Sequence, residues 1–156
     1  MTAAQRWTAV VKPEVTQRVL ALRDREDVVA RFWSYVDLGF EGTDCHVWTG
    51  ALSDEGYGTF ALPRDRQRKR VVRAHRIAWL WKHGEIPEDR PFLDHSLECV
   101  GRFCVNVQHL DPVDNDENMR RMLLGPMIGN GPQRVRREVE LLAREARRAA
   151  GEIGIW

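Results

Sequence analysis

Apolar residues recur at helical spacing along the first part of the chain. Val15, Val19 and Leu22 follow Pro13, and proline suits a first helical turn because its missing N–H would lack a partner there anyway. A second helix is predicted from about Glu26 to Val36, with Val28, Val29, Phe32, Trp33 and Val36 on one face. The pattern then shortens. HVWTGAL and YGTFAL, with Glu55-Gly56 between them, read as short strands joined by a hairpin. VVRAHR runs into IAWLWKHG, a helix closed by Gly84, and Pro87 and Pro91 bracket a loop into FLDH. The run Asp114-Asn115-Asp116-Glu117 offers an N-cap for a helix through Met119–Leu124. Gly125, Pro126, Gly129, Asn130, Gly131 and Pro132 mark a linker over 125–132. A last Arg-rich helix within 133–156 carries Val135, Val139, Leu142 and Ala146 on one face. Helices alternating with short strands predict an α+β domain.

Composition narrows the class. The chain has 156 residues, 43% of them apolar, which suits one ordinary domain. Six Trp, five Phe and two Tyr exclude a disordered chain. The longest apolar run, Ile77–Trp81, is too short to span a bilayer, and the N-terminus lacks the charged-then-apolar pattern of a signal peptide. The expectation is an intracellular, cytoplasmic protein. Three cysteines, an odd number, argue against a disulfide framework and for metal ligands or plain thiols. Net charge is only +1, yet residues 64–76 hold seven basic side chains and one acidic one. Arg64, Arg66, Arg68, Lys69, Arg70 and Arg73 are candidates for phosphate contact along double-stranded DNA. The Arg excess, 21 to 3 Lys, suits bidentate phosphate recognition, but base composition of a genome yields the same bias.

The segment LDHSLECVGRFCVNVQHLDPVDNDEN concentrates the chemistry. Cys99, Cys104 and His109 lie at intervals from which thiolates and imidazole can converge on a tetrahedral zinc, with Cys45 or its neighbour His46 open to the fourth position. The dipeptide Asp94-His95 in an extended strand projects its side chains to opposite faces. One can hold a hard cation while the other acts as a base, and phosphodiester hydrolysis needs both.

RFWSYV, DCHVWTGA, GYGTF, AHRIAWLW, LDH, CVNVQHLDPV and EN, in that order, resemble the HNH endonucleases of phage genomes and homing elements. The Cys/His pattern is also similar to the His-Cys box homing endonucleases. The resemblance covers about residues 31–121, roughly six-tenths of the chain. It implies a ββα-metal core with a structural zinc and flanking N- and C-terminal helices. The implied layout is a helical extension at 1–30, an endonuclease domain at 31–124, the linker at 125–132 and the C-terminal helix at 133–156. By the same resemblance, His95 is the general base; with His109 occupied by zinc, its Nδ1 is expected to donate to a backbone carbonyl, leaving Nε2 free to take the proton. Asp94 and Asn118 hold a catalytic Mg²⁺ or Mn²⁺, and Cys45, Cys99, Cys104 and His109 hold Zn²⁺. Arg76, or Arg73 in its stead, reaches the scissile phosphate. The chain departs from the family's pattern in two places: Cys99 lies four residues after His95 instead of two, and Val107 stands where proline is usual.

Two other readings fit the same residues: a catalytically idle, zinc-stabilised DNA-binding module, and a zinc-stabilised protein-interaction domain. One ββα site cuts one strand, so a homodimer or a second binding event is required to cut both. His75 and Asn106 read as structural hydrogen-bonding residues, and Trp33, Trp48 and Trp79 as core.

Overall fold

The structure, a computed structural model, describes residues 12–38, 44–66, 70–95, 99 and 101–124. The predicted linker and C-terminal helix, with Arg68 and Lys69 of the basic run, lie outside the described residues. Among the described residues are four helices and six short strands: α1 (Pro13–Ala21), α2 (Glu26–Ser34), β1 (Val36–Asp37), β2 (Val47–Trp48), β3 (Thr59–Ala61), β4 (Val71–Arg73), α3 (Ala74–His83), β5 (Phe92–His95), β6 (Leu110–Val113) and α4 (Asn115–Leu124). Single 3₁₀ turns follow α1 at Leu22–Asp24 and precede β6 at Val107–His109. The strands form three separate antiparallel pairs, β1 with β2, β3 with β4, and β5 with β6. The fold is therefore mixed α+β. No helix among the described residues is long and apolar enough to cross a membrane.

Local chemistry accounts for the helix limits. Pro13 opens α1, and Gly84 closes α3 at φ 83°, a conformation that a Cβ would strain. Asp114 caps α4 by accepting from the Glu117 N–H at 2.8 Å. The second helix ends earlier than its apolar spacing predicts. Thr49 donates to the Tyr35 carbonyl from both its N–H and its hydroxyl, at 2.6 and 2.8 Å, and Val36 pairs with Trp48 instead of continuing the helix. Pairing with another strand overrides local propensity here.

One core gathers α1, α2, β2, β3, α3, β5 and the Cys104 segment. Val19 and Leu22 of the first helical segment lie in the same cluster as Phe32, Trp48, Phe60 and Ile77, and the Trp81 indole donates to the Val19 carbonyl at 2.8 Å, tying α3 to α1. Phe32 is the hub: its ring centroid lies 5.0 Å from those of Trp48 and Trp81 and 5.3 Å from that of Phe60. Trp48 is buried as expected, but Trp33 is 41% exposed and Trp79 only partly buried. The reason is angular: Val28 and Phe32 are four residues apart and share the inward face of α2, while Trp33 is rotated about 100° from Phe32 toward solvent.

Phe32→Ala should cost about 3–5 kcal/mol, the range for emptying a closed aromatic site. Trp33→Ala should cost less than about half of that, since its loss leaves no cavity. Denaturant unfolding of the two variants checks the ranking.

Candidate functional site

Four ligand atoms converge from two parts of the chain. The Sγ atoms of Cys45, Cys99 and Cys104 and a ring nitrogen of His109 all lie within 4.8 Å of one another. Cys45 Sγ is 3.7 Å from Cys99 Sγ and 3.5 Å from His109 Nδ1, and Cys104 Sγ is 3.6 Å from that same nitrogen. A tetrahedral zinc with Zn–S of about 2.3 Å and Zn–N of about 2.0 Å has S···S edges of about 3.8 Å and S···N edges of about 3.6 Å. The spacing matches those edges, so this Cys₃His cluster can hold a metal ion such as zinc. His46 is outside the cluster, and the fourth position belongs to Cys45.

Backbone pairing brings these residues together. Trp48 N–H donates to the Phe103 carbonyl at 2.9 Å and Val105 N–H to the His46 carbonyl at 2.8 Å, so the Cys104 segment lies along β2 just beyond Cys45. Asn106, buried, completes the junction: its side-chain amide donates to the Asp44 carbonyl at 2.7 Å and its Oδ1 accepts from Gln108 N–H at 3.0 Å. A hydrogen bond from Cys99 holds the Cys104 thiol well below the ordinary thiol range, with help from the Asn106 N–H at 3.4 Å. The same bond pushes Cys99 up. A soft cation that displaces the shared proton satisfies both sulfurs.

His95 ends β5, beside this cluster. Its Nε2 is 2.9 Å from the Cys104 carbonyl oxygen, which can only accept, so in the neutral ring Nε2 carries the hydrogen and Nδ1 the lone pair. This reverses the assignment expected from the sequence, where Nδ1 was to be anchored and Nε2 free. The cause is the pairing of the Cys104 segment along β2, which holds the Cys104 carbonyl against Nε2. Burial pushes the imidazole below its ordinary 6.5, partly countered by the bond to Cys104, so it is neutral at pH 7.

Two aromatic rings flank His95. His75 lies 5.2 Å away, centroid to centroid, and Tyr57 stacks on His75 at 5.2 Å with 28° between planes. His75 is 3% exposed, and one of its two ring nitrogens, Nδ1, has no partner among the described residues. Burial, reinforced by the nearby His95 and two arginines, pushes its pKa well below 6.5.

The acidic side of the site is on β5, β6 and α4. Asp94 stands directly opposite Asp111 in the β5–β6 register. Arg121 of α4 reaches both, with Nη1 3.2 Å from Asp94 Oδ2 and Nη2 2.7 Å from Asp111 Oδ2. Asn118 is one turn earlier on α4, on the same helix face as Arg121. As a donor set for a hard divalent cation, Asp94 and Asn118 supply one carboxylate and one amide oxygen. The guanidinium already lodged at Asp94 marks the position as one that accepts positive charge.

Of the cations expected near phosphate, Arg76 is buried in the first turn of α3, where it donates to the Pro91 carbonyl at 3.3 Å, and burial lowers its pKa to about 10. Arg73 lies 4.2 Å over the Tyr57 ring and pairs with Glu55. Arg102 lies 5.3 Å from the same ring and donates to the Glu55 carbonyl. Arg64, Arg66 and Arg70 are exposed. Tyr57, Arg102, Asp111 and Arg121 were not singled out in the sequence, because no local motif announces them; only folding brings them to His95 and Asp94.

Metal analysis should find about one zinc per chain, and Cys104→Ser should lose both the metal and much of the stability, whereas His46→Ala should keep the metal. A second expectation concerns acid. Because folding depresses the His75 pKa below 6.5, its contribution to stability is complete above pH 6.5 and is lost as pH falls below it. There the unfolded chain binds a proton the folded one refuses, at up to about 1.4 kcal/mol per pH unit. His75→Phe should therefore give a shallower loss of stability than the native chain between pH 7.5 and 5.5, measured by denaturant unfolding. No protein-family model, curated protein or solved structure matches the chain.

Proposed function

We propose that the protein is a metal-dependent DNA endonuclease in which β5, β6 and α4 form a ββα-metal unit. The observation that carries this reading is the state of His95: a half-buried, neutral imidazole with one nitrogen fixed by a backbone carbonyl, next in sequence to Asp94, on a hairpin followed by the helix bearing Asn118. The order Asp-His, Cys/His loop, strand, Asn-bearing helix is that of the HNH endonucleases the sequence resembles. The Cys₃His cluster serves as the structural zinc site that fixes the loop.

His95 Nδ1 takes the proton from a water as its oxygen attacks phosphorus, and the bond to the 3′-oxygen breaks. The Cys104 carbonyl keeps the tautomer in which Nδ1 is the acceptor, and burial keeps the ring unprotonated at neutral pH. Asp94 and Asn118 would hold the divalent ion, Mg²⁺ or Mn²⁺, which supplies charge stabilisation at the phosphorane and the leaving oxygen. Arg73 and Arg102, kept in place along Tyr57, take the role of phosphate contact in preference to the buried Arg76. The exposed Arg64, Arg66 and Arg70 extend this positive surface along the duplex.

Supercoiled plasmid with Mg²⁺ should be nicked by the native chain and not by His95→Ala, with a loss of at least about a hundredfold for removing a general base. DNA binding without cleavage by the native chain would leave the idle DNA-binding module as the reading, and no salt-dependent DNA binding would leave the protein-interaction domain. Arg102→Gln should weaken DNA binding across all sequences and flatten its salt dependence by roughly one unit of slope.

A further inference from the structure

Asp94 and Asp111 face each other across an antiparallel ladder, a placement that is unfavourable for like charges. Arg121 resolves the conflict. Its Nη2 holds Asp111 at 2.7 Å, its Nε holds Glu117 at 2.8 Å, and its Nη1 holds Asp94 at 3.2 Å. The grading matters, because the two short bonds anchor the guanidinium while the long one touches the carboxylate to which the proposed function gives the divalent ion. Guanidinium cannot lose its charge in a protein, so it and a divalent cation compete for the same oxygens. The helix that carries Asn118 delivers this competitor on the same face.

We propose that Arg121 is a built-in counter-cation for the Asp94–Asp111 pair, a positioning residue that holds Asp94 when no divalent ion is bound and yields it when one binds. The proposal rests on the reading of Asp94 as a metal ligand. On binding, the Arg121–Asp94 bond is exchanged for the ion, while the bonds to Asp111 and Glu117 keep the guanidinium in place. The ion-free site is thus never left with two unshielded carboxylates, and divalent affinity is lowered by the bond that must be broken.

The test is Mn²⁺ uptake by the zinc-loaded full chain without DNA, followed by electron paramagnetic resonance of the free ion, together with thermal unfolding. Arg121→Gln should bind Mn²⁺ more tightly than the native chain by on the order of tenfold, the size expected for losing one competing, partly screened charged bond. The same variant should unfold at a lower temperature without Mn²⁺ and regain more of its stability with it than the native chain does. Arg121→Lys, which keeps the charge and loses the fork, should fall between the two and serves if Arg121→Gln does not fold. Equal Mn²⁺ affinity in native and variant chains, with Asp94→Asn abolishing uptake, overturns the counter-cation and leaves the metal site standing. Uptake indifferent to Asp94→Asn, or absent from Arg121→Gln at millimolar Mn²⁺, overturns both.

Discussion

The position of Cys104 governs the rest of the site. Its Sγ belongs to the cluster that gathers Cys45, Cys99 and His109, and its carbonyl oxygen holds the imidazole of His95. Thiolate chemistry and the orientation of the proposed base are therefore fixed by one residue, whose segment is stapled to β2 by backbone bonds on either side. The loop that bears Cys99 and Cys104 buries only Phe103, Cys104, Val105 and Asn106 among its described residues. That is little apolar surface with which to hold a geometry good to a few tenths of an ångström, and a metal–thiolate cluster provides what packing does not.

The surroundings of His95 trade stability for a defined protonation state. His75 and Arg76 are both buried in the first turn of α3, and neither has a carboxylate partner among the described residues. An unsatisfied buried polar atom costs about 1–3 kcal/mol, a sizeable fraction of what a domain of this length has in hand. The aromatic hub around Phe32 offsets such costs on the opposite flank of α3, where Trp81 packs against it. What the arrangement yields is a low-dielectric wall, Tyr57 and His75, against which the His95 ring stays neutral.

Much of the framework was legible in the sequence because it is local. Pro13, Gly84 and the Asp114 cap set helix ends by chemistry that acts within a few residues. The Cys/His spacing and the family resemblance named all four cluster residues, with His46 the alternative to Cys45, since adjacent residues differ only in which face they occupy. What stayed hidden depends on long-range pairing. The tautomer of His95 follows from where the pairing with β2 holds the Cys104 carbonyl, and the early end of α2 follows from Thr49 capturing Tyr35. Arg121 is one arginine among many in the sequence, and its meaning comes only from the Asp94–Asp111 register.

The three strand pairs carry a consequence for the behaviour of the chain in company. Each strand is two to four residues long, and the pairs do not merge into a continuous sheet. Unpaired strand edges normally act as templates on which other chains add, leading to fibrils or exchanged segments. Edges this brief, with Pro112 removing a donor from β6, give an incoming strand too few consecutive donors and acceptors to hold it. A domain whose apolar material is so rich in tryptophan and phenylalanine gains from this brevity, because the described strands offer other copies almost nothing to join.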